Sequence, residues 1–223
     1  IKRLNKELTN PTGLVELFKK QSGNLLFERN DCVRILWGVE ELLVQREFAV
    51  EALKWLLRLD NMVYEYKAGS LGDSIGKVFF PWYNFSAFQT VQEKVFAAEL
   101  AFEYDQNTWD YIYGILPWSY GSICGQLHWP KYRDHECVMA VSGNESKEVV
   151  LSYVEMLIKH TEFKTERWIK FIKITKEMPE ELRDRVFREM LYEISQMSDR
   201  EIIQVKDAIR DIIFQHRYFS SAS

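Results

Sequence analysis

The feature that most constrains the fold is a helical spacing of apolar residues that runs through most of the chain. In the segment 30–45, apolar side chains recur every three or four residues, and the segment 46–60 repeats the pattern after a short break. This spacing gathers apolar side chains on one face of a helix, so the two segments predict an αα-hairpin. Strict alternation of apolar and polar residues, which is typical of strands, does not extend beyond a few residues.

The same spacing predicts the other helices, whose ends are marked by Pro, Ser and Thr. The expected helices are a short one at 11–21, another short one near 73–80, then 86–105 with Ser86 as its N-cap, 108–118 ended by Pro117, 145–160, 162–175, 180–195 and 198–215. We therefore predict an all-α chain of about ten helices in antiparallel pairs. Because no strict sequence period is visible, the pairs would be degenerate helical-hairpin repeats, an α-solenoid of the tetratricopeptide or HEAT kind.

The predicted organisation has two parts and one long irregular region. Residues 1–143 would form helical hairpins with aromatic-rich loops, and residues 144–223 a four-helix C-terminal repeat segment continuous with them. The segment 118–143 carries several glycines and no helical pattern, and a loop of that length in a compact domain is often functional. The chain starts at Ile1 without an initiator Met, so we expect it to be a piece of a longer polypeptide.

Charge and cysteine content narrow the class of protein. The net charge is −4, and residues 61–145 hold ten acidic against five basic side chains. Such a middle segment repels phosphate backbones, which argues against nucleic-acid binding. Three cysteines, Cys32, Cys124 and Cys137, form no dense framework and are expected to be reduced thiols in a cytoplasmic protein. No apolar run approaches the ~20 residues that span a membrane, so no membrane partner is expected.

No sequence motif indicates catalysis. Phosphate-binding glycine loops, metalloprotease motifs and nucleophile elbows are missing from the sequence, so we expect no catalytic residue, no cofactor and no ATP hydrolysis. One metal candidate lies in the long loop with the spacing C-x3-H-x6-H-x-C: Cys124, His128, His135 and Cys137. These are ligands that zinc accepts, but a chance cluster is the favoured interpretation. The carboxylates Glu99, Glu103 and Asp105 are interpreted as a solvated helix face.

Aromatic residues are concentrated in the middle of the chain. Residues 61–145 hold 18 of the 32 Phe, Tyr and Trp residues. The loop-borne ones are Trp82, Tyr83, Phe85, Trp118, Tyr120, Trp129 and Tyr132. Either these rings form a small core between helices, which we favour, or several of them anchor a partner, since Trp and Tyr are enriched at interface hot spots.

The stretch around Pro81 allows a sharper prediction. Pro81 should end the helix that carries Phe79, because proline restricts the backbone and lacks an amide donor. Trp82 is then expected in the connection, mostly buried against the helix pair 30–60. Phe85 is expected to act as a hydrophobic staple ahead of the Ser86 cap.

Several short elements, taken in order, resemble one family. They are Leu36-Trp37, Ser70-Leu71, Phe79 to Trp82, Leu116-Pro117, Pro130 to Arg133 and His216 to Tyr218. In this order they resemble the C-terminal helical region of bacterial STAND-type NTPases, including the antiviral (Avs-like) members that sense phage proteins. The resemblance covers nearly the whole chain. It departs after Trp82, where Asn84, Phe85, Ser86 and Lys94 stand in place of the family's Pro-Gln-Thr and a later Arg.

The resemblance implies a binding role. The parent protein would carry an N-terminal effector, a central ATPase and a C-terminal helical-repeat sensor, and this chain would belong to the sensor. It would recognise a foreign protein, for example a phage structural protein. Alternatively, it would pack against the rest of its own chain and hold the NTPase inactive. The residues implied for partner binding are Trp118, Tyr120, Trp129, Tyr132 and Arg133, and those implied to be structural are Trp37, Pro81, Trp82 and Ser86.

Two other functions remain open at this point. The chain could be a generic helical scaffold for oligomer assembly with no foreign ligand. It could also be an enzyme domain stapled by zinc at the Cys/His loop, which is the least favoured of the three.

Overall fold

The described part of the chain is entirely helical, apart from turns and one isolated bridge. The structure, a computed structural model, describes residues 26–63, 69–119, 140–162 and 164–220. Helices in these ranges are α1 (Leu26–Leu43), α2 (Ala49–Val63), α3 (Gly69–Val78), α4 (Val91–Tyr104), α5 (Thr108–Gly114), α6 (Gly143–Lys159), α7 (Thr165–Ile174), α8 (Glu180–Ile194) and α9 (Asp199–Ser220). A 3-10 turn, Thr175–Glu177, follows α7. The all-α prediction is therefore confirmed for these residues, and the helix predicted at 11–21 lies outside them.

The chain divides into two compact units, Ile1–Tyr153 and Val154–Ser223. The division falls inside α6, whereas the sequence places the boundary just before that helix. The first unit contains α1 to α5 and the start of α6. The second contains the end of α6 and the helices α7 to α9. Among the described residues, no helix combines the length and the apolar character that crossing a membrane requires.

The predicted αα-hairpin is present as α1 and α2, which pack against each other. The buried stripe of α1 consists of Leu36, Val39 and Leu43, at helical spacing. Trp37 follows Leu36 directly and so points about 100° away from this stripe. Its side chain is 45% exposed, so Trp37 does not belong to the core. The tryptophan of α2, Trp55, lies instead in the buried interior of the first unit.

The third helix, α3, packs against α1, α2 and α5 and ends before Pro81, as predicted. Its last turn closes with hydrogen bonds from the amide of Phe79 to the carbonyl of Gly76 (3.2 Å) and from the amide of Phe80 to the carbonyl of Lys77 (3.3 Å). Gly72 permits the close approach to α5, because a Cβ atom there would lie 3.0 Å from the ring of Tyr111.

Helix α4 begins at Val91, not at residue 86, so the prediction of Ser86 as N-cap is wrong. Thr90 is the N-cap: its hydroxyl accepts from the amide of Glu93 (3.2 Å), and the Glu93 carboxylate accepts from the amide of Thr90 (2.9 Å). This is a capping box. Ser86 is buried in the preceding turn, where the amide of Ala87 donates to the carbonyl of Leu43 (2.9 Å). That bond ties the turn to the end of α1.

The capping box gives a first prediction. We expect Thr90→Ala to lower the free energy of unfolding by about 1 kcal/mol, because it removes the side-chain acceptor for the Glu93 amide. Thr90→Ser retains the hydroxyl and serves as the matched control, with stability close to that of the wild type. Urea unfolding followed by circular dichroism measures both. A Thr90→Ala variant as stable as Thr90→Ser would contradict the assigned cap.

Two later helices also begin at serine-glutamate caps. Before α6, the hydroxyl of Ser142 accepts from the Glu145 amide (3.3 Å) and donates to the Glu145 carboxylate (2.6 Å). Before α9, Ser198 donates through its amide (2.8 Å) and its hydroxyl (2.6 Å) to the Glu201 carboxylate. The break predicted at Ser198 is therefore confirmed. Helix α5, in contrast, ends at Gly114, three residues before Pro117, so the predicted extent 108–118 is too long.

Within the second unit, a carboxylate joins three elements. Glu193, near the end of α8, accepts hydrogen bonds from the hydroxyl of Thr161 (2.8 Å) and from the indole nitrogen of Trp168 (2.6 Å). Trp168 is fully buried on α7, and its ring lies 5.7 Å from that of Phe171. These bonds fix the end of α8 against the start of α7. Helix α9 also packs against α7.

Candidate functional site

The aromatic turn, residues 79–85, is a folded part of the first unit. The ring of Phe80 lies at its centre, with centroid distances of 5.3 Å to Trp82, 6.1 Å to Tyr83 and 5.5 Å to Phe85. Phe79 and Phe85 are buried, Phe80 and Trp82 are half-buried, and Tyr83 is exposed. The rings therefore pack mainly on one another, which is the small-core interpretation of this stretch.

A buried lysine organises the backbone of this turn. The ammonium group of Lys94, on α4, donates to the carbonyls of Phe80 (2.8 Å) and Tyr83 (3.3 Å). Burial lowers the pKa of Lys94 to about 8, and the neighbouring Glu93 carboxylate partly opposes that effect. A lysine with a lowered pKa can serve as a nucleophile, but here its donors are used by backbone carbonyls. We interpret Lys94 as a structural anchor.

The segment that leads into α6 closes the other side of the aromatic turn. Tyr83 and Ala140 form an isolated antiparallel bridge, and the amide of Val141 donates to the carbonyl of Trp82 (2.9 Å). The buried hydroxyl of Ser146 donates to the carbonyl of Pro81 (3.0 Å). Contacts from α4 and from the start of α6 thus hold the turn.

One prediction about this turn is confirmed and one needs correction. Trp82 lies in the connection, as expected; its side chain is more buried than exposed, and it packs edge-on against Phe80. Phe85 cannot be a staple for a Ser86 cap, since the cap is Thr90. It is buried within the aromatic turn instead, where its ring also contacts Tyr83 at 5.9 Å.

Most of the residues predicted to bind a partner or a metal lie outside the described part of the chain. These are Tyr120, Trp129, Tyr132, Arg133 and the four zinc candidates Cys124, His128, His135 and Cys137. Trp118 is described and is half-buried after α5. Within the described ranges, His, Cys, Asp and Glu residues do not come together in any group of three that could hold a metal ion.

A buried acidic cluster lies where α2 meets the connection between α4 and α5. The carboxylate of Asp60 accepts from the hydroxyl of Tyr111 (2.7 Å) and from the amide group of Asn107 (3.0 Å). Asp105 accepts from the backbone amide of Asn107 (2.9 Å), while its second carboxylate oxygen is buried without a hydrogen-bond partner. Burial raises the pKa of Asp60, and burial together with the charge of Asp60 raises the pKa of Asp105 to about 7.

Buried carboxylates with raised pKa values occur both at catalytic sites and in structural networks. Here the donors to Asp60 come from the α4–α5 connection and from α5, so the cluster links three elements of the first unit. Asn61 adds to this link through hydrogen bonds to the carbonyl of Tyr104 and from the amide of Gln106. We interpret the cluster as a structural clasp in which the ionised form of Asp105 is unfavourable for the folded state.

Sequence reasoning missed this clasp. It placed Asp105 on a solvated face together with Glu99 and Glu103, and only the latter two are exposed. The spacing of Asp105 and Asn107 after the last turn of α4 is typical of a carboxylate that bonds its own backbone two residues on. That signal predicts the bond to the Asn107 amide, but not the burial.

Exposed apolar side chains are concentrated on the last two helices. Of the large hydrophobic residues that are exposed in the described ranges, five lie between residues 191 and 214: Leu191, Tyr192, Ile203, Ile213 and Phe214. We call these five residues the C-terminal apolar set. Leu191 and Tyr192 are 65% and 68% exposed, close to the end of α8. Large exposed apolar side chains are often found at protein-binding surfaces.

Comparison of the chain with protein-family models, with curated proteins and with solved structures finds no match. The candidate function therefore depends on the residues themselves. Among the described residues, the C-terminal apolar set is the feature that best fits contact with another macromolecule.

Proposed function

We propose that this chain is a protein-binding helical module, the helical-repeat sensor region of an antiviral STAND-type NTPase. In that role it recognises a phage protein or holds the NTPase inactive until recognition. The observation that carries the protein-binding part is the C-terminal apolar set, whose side chains are exposed on two amphipathic helices. The assignment to a STAND-type sensor depends on the resemblance of the short ordered elements described above.

The helical-hairpin character of the chain supports a repeat architecture. The helices α1 and α2 form a hairpin, and the helices α8 and α9 are joined by a connection of only four residues. In an α-solenoid, each hairpin contacts mainly its neighbours and leaves one surface for a ligand. Exposed apolar side chains on α8 and α9 fit such a surface.

Within this surface, Leu191 and Tyr192 are the expected ligand contacts. Tyrosine offers a large ring with a polar end and is enriched among residues that dominate binding energy. The side chain of Tyr192 is exposed, and the hydroxyl of Ser195 donates to its carbonyl (2.7 Å), which closes the helix end behind it. The loop residues Trp118 to Arg133 stay predicted as further contacts.

A pull-down tests the proposal. The tagged chain is co-expressed with a panel of phage structural proteins, and we expect it to retain one of them. Tyr192→Asp should reduce the retained amount at least about tenfold, because it places a charge in an apolar contact. The matched control is Phe96→Asp, which changes an exposed aromatic residue on α4, in the first unit. This variant should still retain the ligand.

The outcomes separate the parts of the proposal. Retention of no member of the panel contradicts the sensor assignment and favours the scaffold interpretation. Retention that is equal for the wild type and Tyr192→Asp contradicts the assignment of α8, and the variant Trp129→Ala then tests the loop. Circular dichroism of each variant shows that the fold is kept.

A further inference from the structure

Within the exposed side of helix α9, four side chains form a stripe opposite the buried face. The stripe consists of Ile203, Asp207, Arg210 and Phe214, at spacings of four, three and four residues. These spacings place the four side chains within about 60° of one another around the helix. Val205, which is 1% exposed, lies on the opposite side, towards the face that packs on α7.

The stripe has an apolar residue at each end and one ion pair in its middle. Ile203 is 57% and Phe214 69% exposed. Between them, the guanidinium of Arg210 lies 2.7 Å from the carboxylate of Asp207, and both side chains are largely exposed. The order along the helix is therefore apolar, negative, positive, apolar.

This order is complementary to itself when it is reversed. Two copies of α9 can pack antiparallel, related by a twofold axis that passes between Ala208 and Ile209. Each residue of the stripe then faces the residue of the second copy that lies equally far from the axis. Ile203 then faces Phe214 of the second copy, and Asp207 faces Arg210 of the second copy. A twofold interface uses the same patch on both subunits and must be complementary to itself in this way.

We propose that α9 is a homodimerisation surface on which a second copy of this chain docks antiparallel through Ile203, Asp207, Arg210 and Phe214. The ion pair of each helix joins that of the second copy in a ring of four alternating charges at the centre of the interface, and the apolar residues close it at both ends. A parallel arrangement would place Asp207 beside Asp207 and Arg210 beside Arg210, so the charges select the antiparallel register.

The contact is a single helix pair, which is smaller than a standard protein interface, so the dimer should dissociate in about the micromolar range. The proposal does not depend on the phage-protein ligand. The expected ligand contacts are Leu191 and Tyr192 on α8, whereas the dimer uses Ile203 and Phe214, the two members of the C-terminal apolar set that lie in the stripe on α9.

Charge reversal tests both the surface and its register. Sedimentation equilibrium over a concentration series should show a monomer–dimer equilibrium for the wild-type chain. Asp207→Arg and Arg210→Asp should each raise the dimer Kd at least about tenfold, because each variant places four like charges at the centre. The control Arg188→Asp reverses an exposed charge on α8 and should leave the Kd unchanged.

Two rescue measurements make the test specific. Mixing the Asp207→Arg and Arg210→Asp chains should restore a dimer, with one copy of each, and the double variant Asp207→Arg/Arg210→Asp should dimerise with itself. A structural effect of either substitution cannot produce this rescue. A wild-type chain that stays monomeric throughout the series, or a dimer that neither single reversal weakens, would overturn the proposal, as would a failure of both rescues.

Discussion

Trp168→Ala should lower the free energy of unfolding of the second unit by about 3–5 kcal/mol, the usual cost of truncating a fully buried large aromatic side chain. The indole is fully buried on α7, next to Phe171. Its removal also takes away a donor to the Glu193 carboxylate, which then depends on Thr161. Two effects therefore add: a cavity in the core and a loosened link between α8 and α7.

Trp168→Phe separates these two effects. Phenylalanine fills most of the space but lacks the indole nitrogen, so we expect a loss of about 1.5–3 kcal/mol, typical of a hydrogen bond to a charged group. The control is Trp37→Ala, which deletes the same side chain where it is 45% exposed and should cost less than about 1 kcal/mol. Urea unfolding followed by circular dichroism measures all three variants. Equal losses for Trp168→Ala and Trp37→Ala would refute the assigned core.

Asp105→Asn should stabilise the first unit at neutral and higher pH. The pKa of Asp105 is raised to about 7, above its ordinary value of 3.8, first because the carboxyl is buried and then because of the charge of Asp60. The folded chain thus favours the protonated form. The stability that the protonated carboxyl contributes, relative to the ionised one, is fully present below the ordinary pKa. It is lost as the pH rises through the folded pKa.

The asparagine side chain remains neutral and keeps an oxygen that can accept from the Asn107 amide. We therefore expect Asp105→Asn to be more stable than the wild type by about 2–3 kcal/mol at about pH 8. Each unit of pKa shift is worth about 1.4 kcal/mol, and the unpaired amide hydrogens of the new side chain offset part of this gain. The advantage should shrink as the pH falls towards about pH 4, because the wild-type carboxyl then begins to be protonated in the unfolded state as well as in the folded one.

The measurement is urea unfolding of both chains at several pH values between these limits. Taking the difference between the two chains removes the titrating carboxylates that do not interact with Asp105, whereas Asp60 interacts with it and contributes to the difference. Asp110→Asn, an exposed neighbour on α5, is the matched control and should follow the wild-type profile. A difference between Asp105→Asn and the wild type that does not change with pH would show that the Asp105 carboxyl is not the titrating group.

The sequence by itself determined most of the helices. The apolar spacing that predicts the hairpin 30–60 also produces the buried stripe of α1, because residues at this spacing lie on one face of the helix and that face packs into the core. Pro81 ended α3 and Ser198 marked the start of α9, since both act through their own backbone and nearest neighbours. The cap of α4 was predicted at Ser86, whereas the structure has it at Thr90, paired with Glu93.

Only the tertiary structure decided between such local alternatives. Residues 86–89 form a turn that is tied to the end of α1 by the bond from the Ala87 amide to the carbonyl of Leu43, and α4 starts only after Thr90. Asp105 differs from the exposed Glu103 because it lies over Asp60, which is far away in the sequence but adjacent in space. Apolar spacing and capping act over a few residues and can be read along the chain. Burial of a polar group depends on partners that folding brings together, so no single stretch of the sequence contains it.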